Sequence, residues 1–359
     1  MSRLTNADRT DLAAVSGEHG GEIAGNAAGN ALLGDLHRAV LRYGAIGALV
    51  TLGVPEQLRD GPLDVADLAS RCGAHAPALG RLLRTTASTG LMRTVAPGTY
   101  GLTEEGRALL DGAELLRLRW SAGREQWNAI GELTETARTG KAPFTERHGS
   151  VYDYLATRPA ESALFDALMA GLFGDAAVRV AAADVFPGTG MVVDVGGGRG
   201  TFLAAILRAR PGLRGALLEL PRAVDEARAY LAEQGVAERA EVVAGDFFAA
   251  VPPGAEVYLV AHVLHNWSDE ESVEILRVVR GAMAEGSRLL VSEIVLPGDD
   301  RPHFGKELDI RMLAMFEGKE RTEAEFAALL ARAGFRLDRV VDLGAGGECV
   351  IVASPGSAD

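Results

Sequence analysis

Residues 191–200 read MVVDVGGGRG, and they are the clearest indication of the fold class. The run MVVDV is apolar apart from Asp194 and predicts a buried strand, while the glycines predict a tight turn into a helix. In an open parallel sheet, ligands bind at the carboxyl ends of the strands, where such a turn enters its helix. We therefore expect a ligand site at Asp194 and the glycines that follow it.

Strands and helices alternate after this turn. Continuous apolar strands separated by helices indicate a parallel sheet that is covered on both faces. The last two strands have no helix between them, which predicts that the final strand pairs antiparallel. The fold class is therefore α/β, with a Rossmann-like, mostly parallel doubly wound sheet over residues 186–355. The predicted strands are 191–196, 215–220, 241–245, 257–261, 287–293, 335–341 and 348–354, and the predicted helices between them are 200–210, 222–234, 269–284 and 322–333.

The residues before this domain divide into three segments. Residues 1–30 are polar and rich in Gly and Asn, and they predict a flexible tail. Residues 31–112 read helix, helix, helix, hairpin, which is the order of a winged helix-turn-helix and predicts an all-α winged-helix domain. Residues 113–185 predict a helical linker whose bulky side chains suit core packing or the walls of an apolar pocket.

Charge argues against nucleic acid as a partner. The chain has 36 Lys and Arg against 49 Asp and Glu, a formal net charge of −13, and its 48% hydrophobic share excludes a disordered chain. Within 31–112, eight arginines balance eight acidic residues. DNA-reading modules normally carry a basic stripe. We therefore expect this module to bury its apolar faces against a second copy of itself, as a homodimer.

Targeting and redox signals are absent from the sequence. No apolar run reaches the roughly 18 residues that a membrane span needs, and the start MSRLTNADRTDL lacks the apolar core of a signal peptide. Cys72 and Cys349 are far apart and predict two reduced thiols. These features favour a cytoplasmic protein without a membrane partner.

The glycine spacing separates two classes of cofactor. A dinucleotide fingerprint that starts at Gly196 would need glycine or alanine at position 201, which holds Thr201. The spacing is GxGxG instead, through Gly196, Gly198 and Gly200. The carboxylate of Asp194 would repel a pyrophosphate but suits a cofactor with a cationic end.

The ends of the next two strands carry further cofactor signals. Glu219 closes the second strand, where a carboxylate can accept hydrogen bonds from ribose hydroxyls. Asp246 and Phe247 follow the third strand and can offer a carboxylate to an adenine amino group and a ring to stack on it. Taken in order with Asp194, these residues predict S-adenosylmethionine as the cofactor.

Six motifs carry a resemblance to a known family. They are DVGGGRG (194–200), LLELP (217–221), GDFF (245–248), VLHNWSDEE (263–271), VSEIVLP (291–297) and GKERTEAEF (318–326). In these motifs the chain resembles the two-domain, metal-independent small-molecule O-methyltransferases of plant caffeic-acid and isoflavone type and of bacterial polyketide-tailoring type. The likeness runs from about residue 31 to 353. It implies a homodimer formed mostly through the winged-helix domain, without DNA binding.

Methyl transfer from a sulfonium needs an oriented, deprotonated nucleophile. A phenol has a pKa near ~10, so a base must lie close to its hydroxyl. His265 follows the fourth strand and lies in the family's motif, and a histidine with the ordinary pKa of ~6.5 is mostly neutral at pH 7. We expect it to be the general base. The resemblance implies that Glu293 and Glu320 flank this histidine, orient its ring and stabilise the imidazolium.

The acceptor pocket is expected between helices within 144–175 and the segment 308–320. Core packing explains each of the predicted wall residues equally well, although methionine adapts to flat rings. Arg311 can pair with an acceptor carboxylate, or with Asp309 or Glu307. The predicted substrate-binding residues are Met169, Asn266, Met312, Met315 and Phe316.

The sequence thus predicts an O-methyltransferase that acts on a hydroxyl of an aromatic secondary metabolite, as in antibiotic biosynthesis. His262 and His265 form HxxH without a third ligand at a recognisable spacing, so we expect no metal. Two departures from the family, Ala261 in place of Lys and Asn266 in place of Asp, leave a second reading open: a cofactor-binding hydroxylase or decarboxylase on the same scaffold. A winged-helix regulator that senses a small molecule is the non-enzymatic alternative.

Overall fold

The computed structural model describes residues 26–344 and 346–356. The predicted tail therefore lies outside the described residues as far as residue 25. Residues 27–30, which the sequence assigned to that tail, belong to the first helix, and the side chain of Asn26 caps it by accepting from the N–H of Gly29. The chain divides into two compact units between Asp111 and Gly112.

The first unit combines helices with a small antiparallel sheet. The helix Val65–Cys72 begins at Asp64, whose side chain accepts a hydrogen bond from the N–H of Ala66, and it ends at Gly73, which has a left-handed conformation. The elements are α1 (Ala27–Thr51), α2 (Val54–Gln57), β1 (Leu63–Asp64), α3 (Val65–Cys72), α4 (Ala76–Ala87), β2 (Met92–Ala96) and β3 (Thr99–Leu102), with the strands in the order β1-β3-β2. The predicted three helices and hairpin are present, and β1 is a strand that the sequence did not predict.

Helix α1 leaves an apolar face in solvent. Its carboxyl-terminal part is buried in the first unit through residues such as Leu49 and Val50. Five apolar side chains nearer its amino terminus are between 54% and 66% exposed, namely Leu32, Leu33, Leu36, Val40 and Leu41. A contiguous exposed apolar face of this kind is typical of a surface that another protein chain covers.

The second unit begins with six helices and continues as an α/β domain. The helices are α5 (Ala113–Ser121), α6 (Arg124–Gly131), α7 (Leu133–Thr139), α8 (Pro143–His148), α9 (Val151–Ala156) and α10 (Pro159–Ala182). The α/β part consists of β4 (Gly190–Val195), α11 (Thr201–Ala209), β5 (Leu213–Glu219), α12 (Val224–Glu233), β6 (Ala240–Ala244), β7 (Val257–Ala261), α13 (Asp269–Ala282), β8 (Arg288–Leu296), α14 (Phe304–Met315), β9 (Arg321–Thr322), α15 (Glu323–Arg332), β10 (Phe335–Asp342) and β11 (Glu348–Pro355).

The sheet places the site at a reversal of strand order. Its order is β10-β11-β8-β7-β4-β5-β6, with the short β9 beside β8. Strands β4 to β8 run parallel, and β11 is antiparallel to both β8 and β10, which confirms the predicted reversed hairpin. Because β4 pairs with β5 on one side and β7 on the other, the connections diverge there and open a crevice at the carboxyl ends of β4 and β7.

Two apolar layers cover the sheet. Successive residues of a strand face opposite sides, so Val192 and Val193 on β4 belong to different layers. Val192 packs with α10 and α11, and Val193 packs with α13 and α15. Both layers fix β4, and with it the glycine-rich turn. Within the described residues, no helix is both long and apolar enough to cross a membrane.

Candidate functional site

The glycine-rich turn after β4 is shaped by close contacts. Gly200 has a φ of 91°, and a Cβ atom there would lie 3.1 Å from the side chain of Leu231. A Cβ atom at Gly197 would lie 2.3 Å from Oδ2 of Asp194. Gly197 is therefore a site residue that the sequence analysis missed, although its place within three consecutive glycines was a signal for it.

Asp194 is a buried carboxyl group with only partial compensation. It is 0% exposed, and within the described residues its oxygens lack a well-aligned hydrogen-bond partner, so that the backbone N–H of Leu203 compensates it only in part. Burial raises the pKa of Asp194 to about 7, the backbone N–H of Leu203 opposes this shift, and the neighbouring charge of Glu219 adds to it. A buried carboxylate that is only partly compensated is costly, so a cationic or hydrogen-bond-donating group of a ligand would stabilise it.

Glu219 connects the ends of two neighbouring strands. One carboxylate oxygen accepts from the N–H of Gly198 at 2.9 Å, and the other accepts from the N–H of Leu220 at 2.8 Å. Burial raises the pKa of Glu219, while these two N–H groups oppose that shift. The carboxylate keeps lone pairs that can accept from hydroxyl groups.

The predicted aromatic position also reaches the turn. A Cβ atom at Gly196 would lie 3.0 Å from the ring of Phe247, so this ring lies directly against the glycine backbone. The ring packs edge-on to Trp267 at 6.0 Å. Asp246 is exposed, and its carboxylate accepts from the N–H of Phe248 at 2.9 Å. The structure thus brings Gly196 and Phe247 together and leaves Asp246 at the solvent edge of β6.

A buried histidine with two carboxylates lies beyond the end of β7. His265 stands in a single turn of 3-10 helix, Leu264–Asn266. Its Nδ1 lies 3.1 Å from Oε1 of Glu320 and 3.2 Å from Oε2 of Glu293. The backbone N–H of His265 donates to the other oxygen of Glu293 at 3.3 Å. The three side chains predicted from the sequence therefore meet, and the contacts favour a proton on Nδ1 and a lone pair on Nε2.

The acidity of His265 differs from the expectation. Burial by itself would lower the pKa of His265, but the carboxylates of Glu293 and Glu320 outweigh burial and raise it to about 9. The assumption of an ordinary pKa near ~6.5 is thus wrong for this structure. Burial in turn raises the pKa of Glu293, and the imidazoles of His265 and His262 oppose that shift.

Arg321 joins the two segments that carry this group, and the sequence analysis missed it. Its guanidinium is fully buried and donates to the carbonyl oxygens of Leu264 at 2.9 Å and Trp267 at 3.1 Å. It also donates to Asp269 at 2.8 and 2.9 Å. Arg321 follows Glu320 directly, so one residue fixes both the turn of His265 and the start of β9. Its place beside Glu320 in GKERT was the available signal.

The predicted acceptor walls form part of an apolar cluster. Met315 is buried with Phe144 and Tyr154, and Met169 and Phe316 pack on this cluster. Met312 is also buried. The Thr145 hydroxyl donates to the Met315 carbonyl at 3.1 Å, which ties α8 to the end of α14.

Two polar candidates make internal contacts. The Asn266 amide donates to the His262 carbonyl oxygen at 3.2 Å. Asp309 accepts from the N–H of Glu320 at 2.9 Å, so it supports the segment of Glu320. A small cavity beside the apolar cluster is lined by Trp120, Ser121, Gln126, Ile130, Arg311 and Met315.

Donor atoms of His262, His265 and Glu293 lie within 4.8 Å of one another, so a metal ion would fit among them. However, His265 already contacts Glu293 and Glu320 through Nδ1, and these contacts suit a histidine that accepts and donates protons. We assign His265 and Glu293 to proton chemistry, and the expectation that no metal is used stays a prediction.

Comparison with known proteins identifies both units. Residues 130–336 match the description "O-methyltransferase domain", and residues 38–112 match "O-methyltransferase dimerisation domain". The chain is 40% identical over 329 residues to the mitomycin biosynthesis 6-O-methyltransferase of Streptomyces lavendulae, covering 90% of this chain and 94% of that one. It is 39% identical to a phenazine O-methyltransferase of Lysobacter antibioticus, covering 85% and 90%.

Solved structures agree with these relatives. A mitomycin 7-O-methyltransferase superposes with a TM-score of 0.86 at 38% identity, covering 92% of this chain and 99% of that chain. An O-methyltransferase from neocarzinostatin biosynthesis, in complex with S-adenosylmethionine and 2-hydroxy-5-methyl naphthoic acid, gives 0.75 at 34% identity, covering 87% and 95%. The aclacinomycin 10-hydroxylase of Streptomyces purpurascens is 35% identical, covering 82% and 81%.

Proposed function

Since the chain belongs to the family of S-adenosylmethionine-dependent O-methyltransferases with a dimerisation domain, we propose that it methylates a hydroxyl group of a small aromatic natural product with His265 as the general base. The observation that carries this proposal is the buried contact of His265 with Glu293 and Glu320. This group follows β7, next to the glycine-rich turn after β4 in the sheet.

The residues around the turn fit the cofactor. When bound, S-adenosylmethionine supplies a methyl group on a positively charged sulfonium. We assign the buried carboxyl group of Asp194 to the cationic end of the molecule, because no cationic side chain of the described residues is among the causes of its pKa shift and burial still raises its pKa to about 7. Glu219 would accept from the ribose hydroxyls, and Phe247 would lie against the adenine with Asp246 at its edge. The glycines let the backbone approach the cofactor closely.

The base works through its two nitrogens. Nε2 of His265 accepts the proton of the acceptor hydroxyl, which makes the oxygen nucleophilic. Nδ1 keeps its own proton and donates a hydrogen bond to Glu320, and the carboxylates of Glu320 and Glu293 both stabilise the imidazolium that forms. Because the pKa of His265 is about 9, only about one ring in a hundred is neutral at pH 7. The carboxylates therefore make His265 a stronger base and reduce the share of the ring that is ready to act.

The acceptor class follows from the apolar cluster and the relatives. Met169, Met315 and Phe316 offer adaptable apolar contacts to a flat ring, and Met312 lies buried on the same helix. Asn266 adjoins the base and would contact the acceptor oxygen. The neocarzinostatin enzyme was crystallised with a hydroxynaphthoic acid, and a Streptomyces cremeus relative, 35% identical, is a 3-amino-4-hydroxybenzoate 4-O-methyltransferase. We propose a one- or two-ring hydroxylated aromatic acid.

The homodimer is proposed from two observations. Residues 38–112 match the dimerisation domain of the family, and the exposed face of α1 carries Leu32, Leu36 and Val40. A second copy of this chain would cover this face.

The free thiols Cys72 and Cys349 favour a cytoplasmic location.

Turnover with a panel of hydroxynaphthoic and hydroxybenzoic acids tests the function. Mass spectrometry should find a gain of CH2 on the acceptor in the presence of S-adenosylmethionine. A gain of oxygen or a loss of CO2 would instead support the hydroxylase or decarboxylase, a candidate favoured by the likeness to the aclacinomycin 10-hydroxylase.

The variant His265→Gln tests the assignment of the base. Without the imidazole, methyl transfer should fall by about 10²-fold or more, because no group accepts the hydroxyl proton. Calorimetry should find the affinity for S-adenosylmethionine unchanged. Turnover near that of the unaltered protein would refute the role of His265.

A further inference from the structure

A second histidine, which the proposed reaction does not use, lies buried behind Glu293. Nε2 of His262 is 3.0 Å from Oε2 of Glu348. Nδ1 of His262 is 3.8 Å from Oε2 of Glu293, and the same oxygen is 3.2 Å from Nδ1 of His265. The two imidazole rings therefore face the same carboxylate oxygen from two sides.

The backbone and packing of His262 hold its ring in one orientation. His262 has a φ of 52°, the only positive φ at a non-glycine residue within the described chain. Its N–H donates to the carbonyl of Ser292 at 2.9 Å, and its ring lies 4.1 Å from the ring of Phe173. A left-handed backbone at such a residue persists only where the surroundings fix it, and such residues cluster at functional sites.

Glu348 anchors the other edge of the ring. Strand β11 pairs with β8, and this brings Glu348 beside Ser292, whose hydroxyl donates to Glu348 at 2.6 Å. Burial would raise the pKa of Glu348, but the His262 imidazole and the Ser292 hydroxyl outweigh it and lower the pKa. Glu348 therefore remains a carboxylate beside Nε2 of His262.

His262 lies among buried carboxyl groups. The carboxyl groups of Glu293, Glu320 and Glu348 are all buried. Besides His265, the His262 imidazole lowers the pKa of both Glu293 and Glu348, and Arg179 also lowers the pKa of Glu348. The guanidinium of Arg321 is paired with Asp269. The charged groups that face the cluster are Arg179 on α10, His262 and His265 after β7, Glu293 on β8, Glu320 and Arg321 at β9, and Glu348 on β11.

We propose that His262 is a positioning residue for methyl transfer: held beside Glu348, its imidazole faces Glu293 and keeps that carboxyl group turned toward His265. The inference rests on the proposed role of His265 as the base. His262 and Glu348 thus act on the reaction through Glu293, without touching the acceptor or the cofactor.

Histidine-selective NMR titration of the full chain tests this without any acceptor. In His262→Phe, the ring contact with Phe173 is kept while both nitrogens are lost. Glu293 then loses the imidazole that lowers its pKa, so its carboxylate is neutralised more easily, and the pKa of His265 should fall by about one unit from about 9. The exposed His75→Gln serves as the matched control and should leave the titration of His265 unchanged.

Kinetics with an acceptor found in the panel supply the second readout. In His262→Phe and in Glu348→Gln, the plateau that kcat reaches at alkaline pH should fall about tenfold, which is a smaller loss than the one expected for His265→Gln. The KM for S-adenosylmethionine should stay within about twofold of its value in the unaltered protein. In His262→Phe the acid limb should also move to lower pH. In a Glu293→Gln background, His262→Phe should add little further loss, because both act through one carboxylate.

The outcomes separate this proposal from the proposed function. An unchanged His265 titration in folded His262→Phe would overturn the positioning role, whether or not an acceptor is known. The positioning role would also be overturned if His262→Phe lowered kcat by the same factor in the Glu293→Gln background as in the unaltered protein. If His262→Phe unfolds, Glu348→Gln decides the question, since a plateau equal to that of the unaltered protein contradicts the role of the pair.

Discussion

Nδ1 of His265 lies beside the carboxylates of Glu293 and Glu320, and each of them raises the pKa of His265. In Glu320→Gln one of these charges is lost while the shape is kept, so the pKa of His265 should fall from about 9. The acid limb of the pH–rate profile should then move to lower pH, and the plateau should fall about tenfold because the imidazolium is less stabilised. An acid limb at its original pH would contradict the coupling between Glu320 and the base.

Asp194 makes the affinity for the cofactor depend on pH. Its pKa of about 7 means that the carboxyl group is largely protonated below pH 6 and ionised above pH 8. A cationic ligand favours the ionised form, so binding below about pH 7 should release a proton, and the affinity should rise with pH over that same range and level off above about pH 8. Calorimetry in buffers of different ionisation enthalpy measures that proton, and Asp194→Asn should remove both effects. Proton release that persists in Asp194→Asn would assign it to another group.

Among the elements, the segment between α14 and β9 lies directly against the turn of His265. A Cβ atom at Gly318 would lie 2.0 Å from the carbonyl oxygen of His265 and 2.5 Å from the N–H of Trp267. Gly318→Ala must therefore displace this segment and draw Glu320 away from the ring. We expect kcat to fall by about tenfold or more, with unchanged cofactor affinity. Gly281→Ala, where nothing lies within 4 Å, is the control and should keep full activity.

At the scale of the whole molecule, a substitution on the exposed apolar face of α1 tests the proposed homodimer. A charge buried without a partner is costly, so Leu36→Glu should weaken the homodimer and favour a monomer. Light scattering coupled to size-exclusion chromatography measures the mass. Val95→Glu changes another exposed apolar side chain of the same unit and should leave the mass unchanged. A dimer that persists in Leu36→Glu would direct the search to another face.

The strands of the sheet were predictable because each is a local apolar run, and the glycines after β4 were predictable from spacing. Helix α14 was missed because its buried positions, such as Met312, Ala314 and Met315, do not follow one clear helical stripe. The pairing of His262 with Glu348 was out of reach, since it depends on the register of β11 against β8. The pKa of His265 likewise depends on burial and contacts that a sequence does not display.

The position of β11 has a consequence for synthesis of the enzyme on the ribosome. This strand lies between β8 and β10, although both precede it along the chain. A nascent chain can therefore pair β4, β5 and β6 and shape the glycine-rich turn long before residues 348–355 emerge. Glu348 is synthesised with β11. A nascent chain that ends before β11 would therefore be able to bind the cofactor while the cluster around His265 still lacks Glu348.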